Sequence, residues 1–348
     1  MWDLIGHEQA VERLRRGLHA GRVAHAYLIT GPAQVGKRTL ALRLAQALNC
    51  TGPEPPCGEC RSCRRIQSGT HLDVRVVQLE ANAGNGEGED GPRPRTGVKN
   101  IGIGQVQALQ REVALSPYEG GRKVYIILDA ENLSIEAGNS LLKVLEEPPP
   151  QVVLLLTATD ANMLLPTIVS RCQPIRLPPV PAAVIAAHLR ERYSLAAERA
   201  EVVARLACGR VGWAIAAAED ESRLSARAET LARLVGLGEA RAASRLDLAG
   251  KLAVEFGRDR GGVYLALELW TMWWRDVLLL QAGDEELVTN VDQLAALRGQ
   301  ATRGTLGQTH AYLAQIEATR LQLEQNVNPR LALEALCLNV PQGAGTLV

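Results

Sequence analysis

The stretch Ala26-Tyr-Leu-Ile-Thr30-Gly31-Pro-Ala-Gln-Val-Gly36-Lys37-Arg38-Thr39 decides the fold. Ala26 to Thr30 reads as a short buried strand, and Leu40, Leu44, Ala45 and Leu48 then repeat at helical spacing. Between them, Gly31 to Lys37 has the spacing of a phosphate loop. Its glycines let backbone N–H groups turn inward around phosphate oxygens. Lys37 meets the β- and γ-phosphates, and the helix N-terminus adds partial positive charge. In such loops the next residue is Ser or Thr, whose hydroxyl holds Mg²⁺. Here that position is Arg38, and Thr39 brings the hydroxyl one residue late, about 100° around the helix.

Outward from this stretch, Val11, Leu14 and Leu18 share a helical face. Further strands are expected at Val74 to Gln78, Val124 to Leu128, Val152 to Leu156 and Pro174 to Leu177. Strands separated by helical stretches imply a parallel sheet covered on both faces, an α/β fold. Asp129 follows the second of these strands, where a carboxylate would support Mg²⁺. Hydrolytic relatives of this architecture usually continue with Glu, but here Ala130 follows. Glu131 is expected to point away, because neighbours on an extended segment face opposite sides. The loop is therefore read as one that would hold ATP or ADP, with turnover not expected.

Cys50, Cys57, Cys60 and Cys63 lie directly after the phosphate-loop helix, spaced C-x6-C-x2-C-x2-C. Four thiolates complete a tetrahedral set for Zn²⁺ with no open position, which makes the site structural. Scattered free thiols and an iron–sulfur cluster are the alternatives. Arg61, Arg64 and Arg65 beside the cluster are either solvated charges or a modest anionic contact. Cys172, Cys208 and Cys337 are isolated in apolar contexts and are expected in cores.

Composition narrows the function classes. Lys plus Arg is 38 and Asp plus Glu is 38, so the chain of 348 residues is no uniformly basic nucleic-acid coat. Aromatics make up 3%, with a single Phe, so the cores must come from Leu, Val, Ile and Ala. No run of about 18 apolar residues occurs, and Met1 to Gln9 lack the pattern of a secretory signal. A cytoplasmic protein without membrane contact is expected. The segment 81–100 is Gly-rich and almost without apolar residues, and is expected to be a mobile surface insertion. After the Pro-rich joint Leu177 to Pro181 only helices are signalled. Trp270, Trp273, Trp274 and Val277 at near-helical spacing read as core, with a base-stacking platform the alternative. Asn328-Pro329 reads as a helix cap and first-turn proline.

Several longer segments carry a resemblance. His25 to Leu28 (HAYL), the four-cysteine insertion, Leu115 to Ile127 (LSPYEGGRKVYII), Asn139 to Pro149 (NSLLKVLEEPP), Thr167 to Cys172 (TIVSRC) and Asn326 to Leu338 (NVNPRLALEALCL) are its parts. The chain resembles the AAA+ subunits of bacterial clamp loaders, from Leu4 to about Pro341. The resemblance implies an AAA+ P-loop domain over 1–178 with a zinc module at 50–63, an all-α lid over 179–220, and an all-α collar for oligomerisation over 221–348. In the collar, Leu333, Leu336, Cys337 and Val340 form the face expected to pack in the ring.

It further implies a stator-type component of the DNA polymerase III holoenzyme. Such a subunit assembles with gamma/tau motor subunits and a delta subunit, and the assembled loader places the sliding clamp on primed DNA. Arg171 matches the arginine that acts in trans on a neighbour's ATP, and Thr159 matches a sensor near the γ-phosphate, or else is a strand-end hydroxyl. Where motor subunits carry a lid arginine, this chain has Gly212. Glu146 and Glu147 end a helix and are given no chemistry. Two other readings remain: a working ATPase of the gamma/tau motor type, opposed by Arg38, Ala130 and Gly212, and a zinc-dependent nucleic-acid-binding module, opposed by the zero net charge.

Overall fold

The computed structural model describes residues 2–79, 101–119, 121–238, 240–325 and 327–341. The expected insertion at 81–100 lies outside them. The chain divides into two compact units, Met1–Ile185 with Gly209–Trp213, and Ala186–Cys208 with Ala214–Val348.

In the first unit the elements run α1 (Glu8–His19), β1 (Ala26–Thr30), α2 (Lys37–Asn49), α3 (Arg61–Gln67), β2 (Val74–Val77), α4 (Ile103–Val113), β3 (Lys123–Ile127), α5 (Ile135–Glu146), β4 (Val152–Ala158), α6 (Pro166–Val169) and β5 (Gln173–Arg176). The five strands form one parallel sheet in the order β2-β3-β4-β1-β5. Its centre reads as unbroken apolar runs because both faces are covered: β3 and β4 are buried along their whole length. Alternate residues serve the two faces. Leu28, Tyr125, Ile127, Leu154 and Leu156 join a core with Val106, Leu109, Leu141, Leu145 and Ile168 from α4, α5 and α6. The helix α2 packs on β1, β3 and β4.

The expected strands appear within a residue or two of their positions, and all pair in parallel. Such a sheet gathers the loops that follow its strands at one edge. Thr30, Asp129 and Thr159 each stand just at or beyond a strand end.

After β5 come α7 (Ala182–Tyr193), α8 (Ala197–Leu206) and α9 (Val211–Glu219). Then follow α10 (Ser222–Val235), α11 (Ala242–Arg258), α12 (Arg260–Ala282), α13 (Leu294–Ala301), α14 (Leu306–Glu324) and α15 (Pro329–Leu338). The second unit is built around α12. Trp270, Trp273, Trp274 and Val277 are buried with Tyr312, Ile316, Leu333 and Leu336. Trp274 meets Tyr312 edge to face at 5.0 Å, and the Tyr312 hydroxyl donates to Leu336 O at 3.0 Å. The tryptophans are thus core, and the base-stacking alternative is removed.

Asp276 on α12 is fully buried, yet it is not an unpaired charge. Its carboxylate accepts from the amides of Thr289 and Asn290 and from Asn290 Nδ2, pinning the segment after α12.

Two expectations need correction. Cys172 and Cys337 are buried as expected, but Cys208 is exposed. It sits beyond the end of α8 at φ +50, where the chain turns out of the helix toward Gly209. In α15, Asn328 caps the helix as expected, its Oδ1 accepting from the amides of Arg330 and Leu331. The face of Leu333, Leu336, Cys337 and Val340 cannot meet a neighbour, because it is spent on this chain's own core. Leu331 and Leu338, at 63% and 42% exposure, lie on the outward side. Replacing Leu333 by Ala should therefore cost about 2–5 kcal/mol in urea unfolding, and Leu331 by Ala less than about 0.5 kcal/mol. Equal losses would mean that the two faces are assigned the wrong way round.

Candidate functional site

The phosphate loop joins Thr30 to Lys37. Gly36 precedes α2 at φ +115, a conformation that a residue with Cβ rarely adopts. The loop is held from several sides. Gly31 N donates to the carbonyls of Ala158 and Thr159, His7 Nε2 lies 3.2 Å from Val35 O, and Gly212 N donates to Gln34 O at 2.8 Å. Lys37 is only 7% exposed. Its Nζ donates to the carbonyl oxygens of Gly31 at 2.7 Å and Pro32 at 2.9 Å. Burial pulls its pKa below the ordinary lysine value, against the opposing pull of Asp129 and Glu131. Arg38 and Thr39 are both exposed on the first turn of α2.

Gly212 adds something its sequence reading missed. A Cβ there would stand 3.1 Å from Gln34 O and 3.3 Å from Gln34 Cβ. The position is thus more than a missing arginine, because the N-terminal turn of α9 touches the phosphate loop there and leaves little room for a side chain. A glycine facing a loop so far upstream in the chain gives no local signal of that contact.

The acidic side of the site also departs from expectation. Asp129 adopts φ +49 and Ala130–Asn132 forms a 3₁₀ turn, so the segment is not extended. Glu131 therefore swings back to the end of β4, where its Oε1 accepts from Thr159 N at 2.9 Å and from Thr159 Oγ1 at 2.7 Å. Its Oε2 is buried without a hydrogen-bond partner among the described residues. Asp129 N donates to Thr157 Oγ1 at 2.9 Å. Burial, and then Glu131, raise the Asp129 pKa, while Lys37 opposes them. Asp129, Glu131 and Lys37 thus form one charged cluster with Thr159 attached. Ala130 is 1% exposed and belongs to the sheet core.

Arg171 lies two residues beyond α6 with its side chain 36% exposed. Nη1 donates to Thr167 O at 3.0 Å and Nη2 pairs with Glu146 Oε1 at 2.8 Å. The Glu146 contact is not readable locally, since Glu146 ends α5 while Arg171 lies beyond α6.

The four cysteines converge. Their sulfurs all lie within 4.8 Å of one another, with Cys57–Cys63 at 4.0 Å and Cys50–Cys60 at 3.9 Å. A tetrahedron of thiolates at about 2.3 Å from zinc needs sulfurs about 3.8 Å apart, so the set fits that ion. Backbone amides of Gly52, Cys57, Cys60 and Cys63 point at cysteine sulfurs. The Cys60 amide draws the Cys57 thiol below its ordinary pKa, whereas burial pushes Cys63 up to about 12. The module is docked firmly: Gln46 Nε2 donates to Cys63 O at 2.8 Å, and Arg65 pairs with Glu119. Arg65 is thus neither a solvated charge nor a free anion contact, while Arg61 and Arg64 are exposed.

The family described as "DNA polymerase III, delta subunit" matches residues 6–181. DNA polymerase III subunit delta' of Bacillus subtilis is 30% identical over 340 residues, covering 96% of this chain and 96% of that protein. The delta' subunit of Pseudomonas aeruginosa is 41% identical over 43% of this chain and 42% of its own. DNA polymerase III subunit tau of Escherichia coli is 39% identical over 49% of this chain, which is 24% of tau. The likeness to delta' from end to end, against a likeness to tau confined to half the chain, places this protein in the delta' family of DNA polymerase III subunits.

Proposed function

We propose that the chain is the stator-type subunit of a bacterial clamp loader: it assembles with gamma/tau and delta subunits, and the assembled ring loads the sliding clamp on primed DNA in the cytoplasm. On this reading the first 178 residues are the AAA+ domain, 179–220 the lid and 221–348 the collar. It does not turn over ATP itself and donates Arg171 to a neighbour's ATP. The observation that carries the non-motor part is Ala130, buried in the sheet core where a hydrolytic glutamate would stand. Gly212 against Gln34 supports it. A motor-type ATPase is the second reading, favoured by the cluster of Asp129, Glu131 and Lys37.

In the trans role, the planar guanidinium would stabilise charge developing on transferring phosphoryl oxygens, an effect worth about 10³–10⁵ in rate in other NTPases. An ammonium lacks the two-pronged donor geometry. The four-cysteine cluster, on the same reading, holds one structural Zn²⁺ that closes the module after α2.

Three outcomes are expected. Elemental analysis should find about one zinc per chain, and Cys60→Ser should remove it while the sheet survives, since none of the four cysteines belongs to the sheet core described above. Iron with a charge-transfer band would sink the zinc assignment.

The isolated chain should show only background ATP turnover. Ala130→Glu should not restore it, and should destabilise the chain by about 2–4 kcal/mol, because it buries a carboxylate among apolar residues. Robust turnover by the wild-type chain after contaminant controls rejects the non-motor reading.

In a reconstituted loader, Arg171→Ala should leave assembly intact and lower ATP turnover severalfold, with clamp loading falling further. Arg171→Lys should rescue little, and Arg176→Ala, five residues on, should behave as wild type. If Arg171→Ala loaders work normally, the arginine has no part in a neighbour's chemistry.

A further inference from the structure

We propose that Glu146 is a positioning residue for Arg171, its carboxylate fixing the guanidinium in the pose from which it reaches the neighbour's phosphates. This rests on the reading that Arg171 acts in trans. Glu146 itself touches no nucleotide on this proposal.

The need for such a residue follows from local structure. Helix α6 is four residues long, Pro166–Val169, and Arg171 leaves it through a single turn in which its amide donates to Ile168 O at 3.2 Å. A long side chain on so short a support would sample many rotamers, and a group that must meet a developing charge loses rate with every unproductive pose. Here the guanidinium is tied at two nitrogens. Nη1 donates to Thr167 O at 3.0 Å, with Ser170 Oγ at 3.5 Å, and Nη2 pairs with Glu146 Oε1 at 2.8 Å. Arginine carries five N–H donors, so donors remain for a phosphate after both ties are made.

The tie from Glu146 has a rigid base. Glu146 closes α5, and α5 approaches α6 closely at Gly138, where a Cβ would lie 3.1 Å from Leu165 Cδ1 and 3.7 Å from Ile168 Cδ1. Carboxylate and guanidinium are therefore set by one packed helix pair. The side chains of Glu146 and Arg171 are 50% and 36% exposed, and ion pairs so open to water add little to stability. What the pair adds is orientation. Glu147, the next residue, is exposed and has no such tie to Arg171.

The test is steady-state ATP turnover of the reconstituted loader carrying variants of this chain. Glu146→Ala should produce about half or more of the loss in kcat that Arg171→Ala produces, with KM for ATP within about twofold of wild type. Glu146→Gln keeps an oxygen that accepts from the guanidinium and should recover most of the rate. Glu147→Ala should leave turnover unchanged. In a chain already carrying Arg171→Ala, adding Glu146→Ala should change nothing further. Thermal unfolding of each variant checks that the fold is intact.

If Glu146→Ala loaders match or exceed wild type while Arg171→Ala is slow, the carboxylate does not position the arginine. A further loss on the Arg171→Ala background would equally overturn the proposal, because Glu146 would then act elsewhere. If Arg171→Ala has no effect at all, it is the trans reading that fails, and this inference falls with it.

Discussion

Strand β4 is buried along all seven residues and holds β1 on one side and β3 on the other. A strand covered on both faces and paired on both edges leaves no polar group free within the sheet, so chemistry is confined to the loops beyond the strand ends. Three consequences meet there. The phosphate loop takes off from β1, and its Gly31 amide is held by the carbonyls of Ala158 and Thr159 at the end of β4. Asp129 stands just beyond β3 and is held by Thr157 within β4. Thr159 leads out of β4 and binds Glu131. The cluster of Lys37, Asp129, Glu131 and Thr159 is thus a product of strand order, although its members are scattered over much of the first unit's sequence.

The features legible in the sequence are those that depend on near neighbours. Central parallel strands show as apolar runs, the phosphate loop as glycines and a lysine at fixed spacing, and the metal module as four cysteines within one short segment. Where reading failed, a side chain's direction depended on something remote or on an unusual backbone. Asp129 in the left-handed region converts an expected extended segment into a turn, and Glu131 ends where no period-two argument would send it. The helix α15 is apolar on both sides, so periodicity alone could not say which side is core; packing against α11 and α14 decides it. Glu146 and Arg171 meet only because α5 and α6 pack together.

The cysteine module shows how a small insertion can be tied into a larger domain. Glu119 meets Arg65 of α3 and lies 3.4 Å from the buried His71, and the buried Asp73 accepts the amides of Tyr118 and Glu119 at 2.8 Å each. Asn49, at the end of α2, accepts the amide of Arg122 at 2.8 Å. The segment before β3 is therefore stitched to the phosphate-loop helix and to the module at once, by hydrogen bonds that are mostly sheltered from water and so expensive to leave unmade.

The two loop carbonyls that hold Lys37 have a thermodynamic corollary. An ammonium carries three N–H donors, so one remains for an arriving phosphate while the two carbonyls keep the others, and stabilisation by a ligand grows only with its affinity for the folded form. The position of Lys37 is thus set by the loop itself, before any ligand contributes.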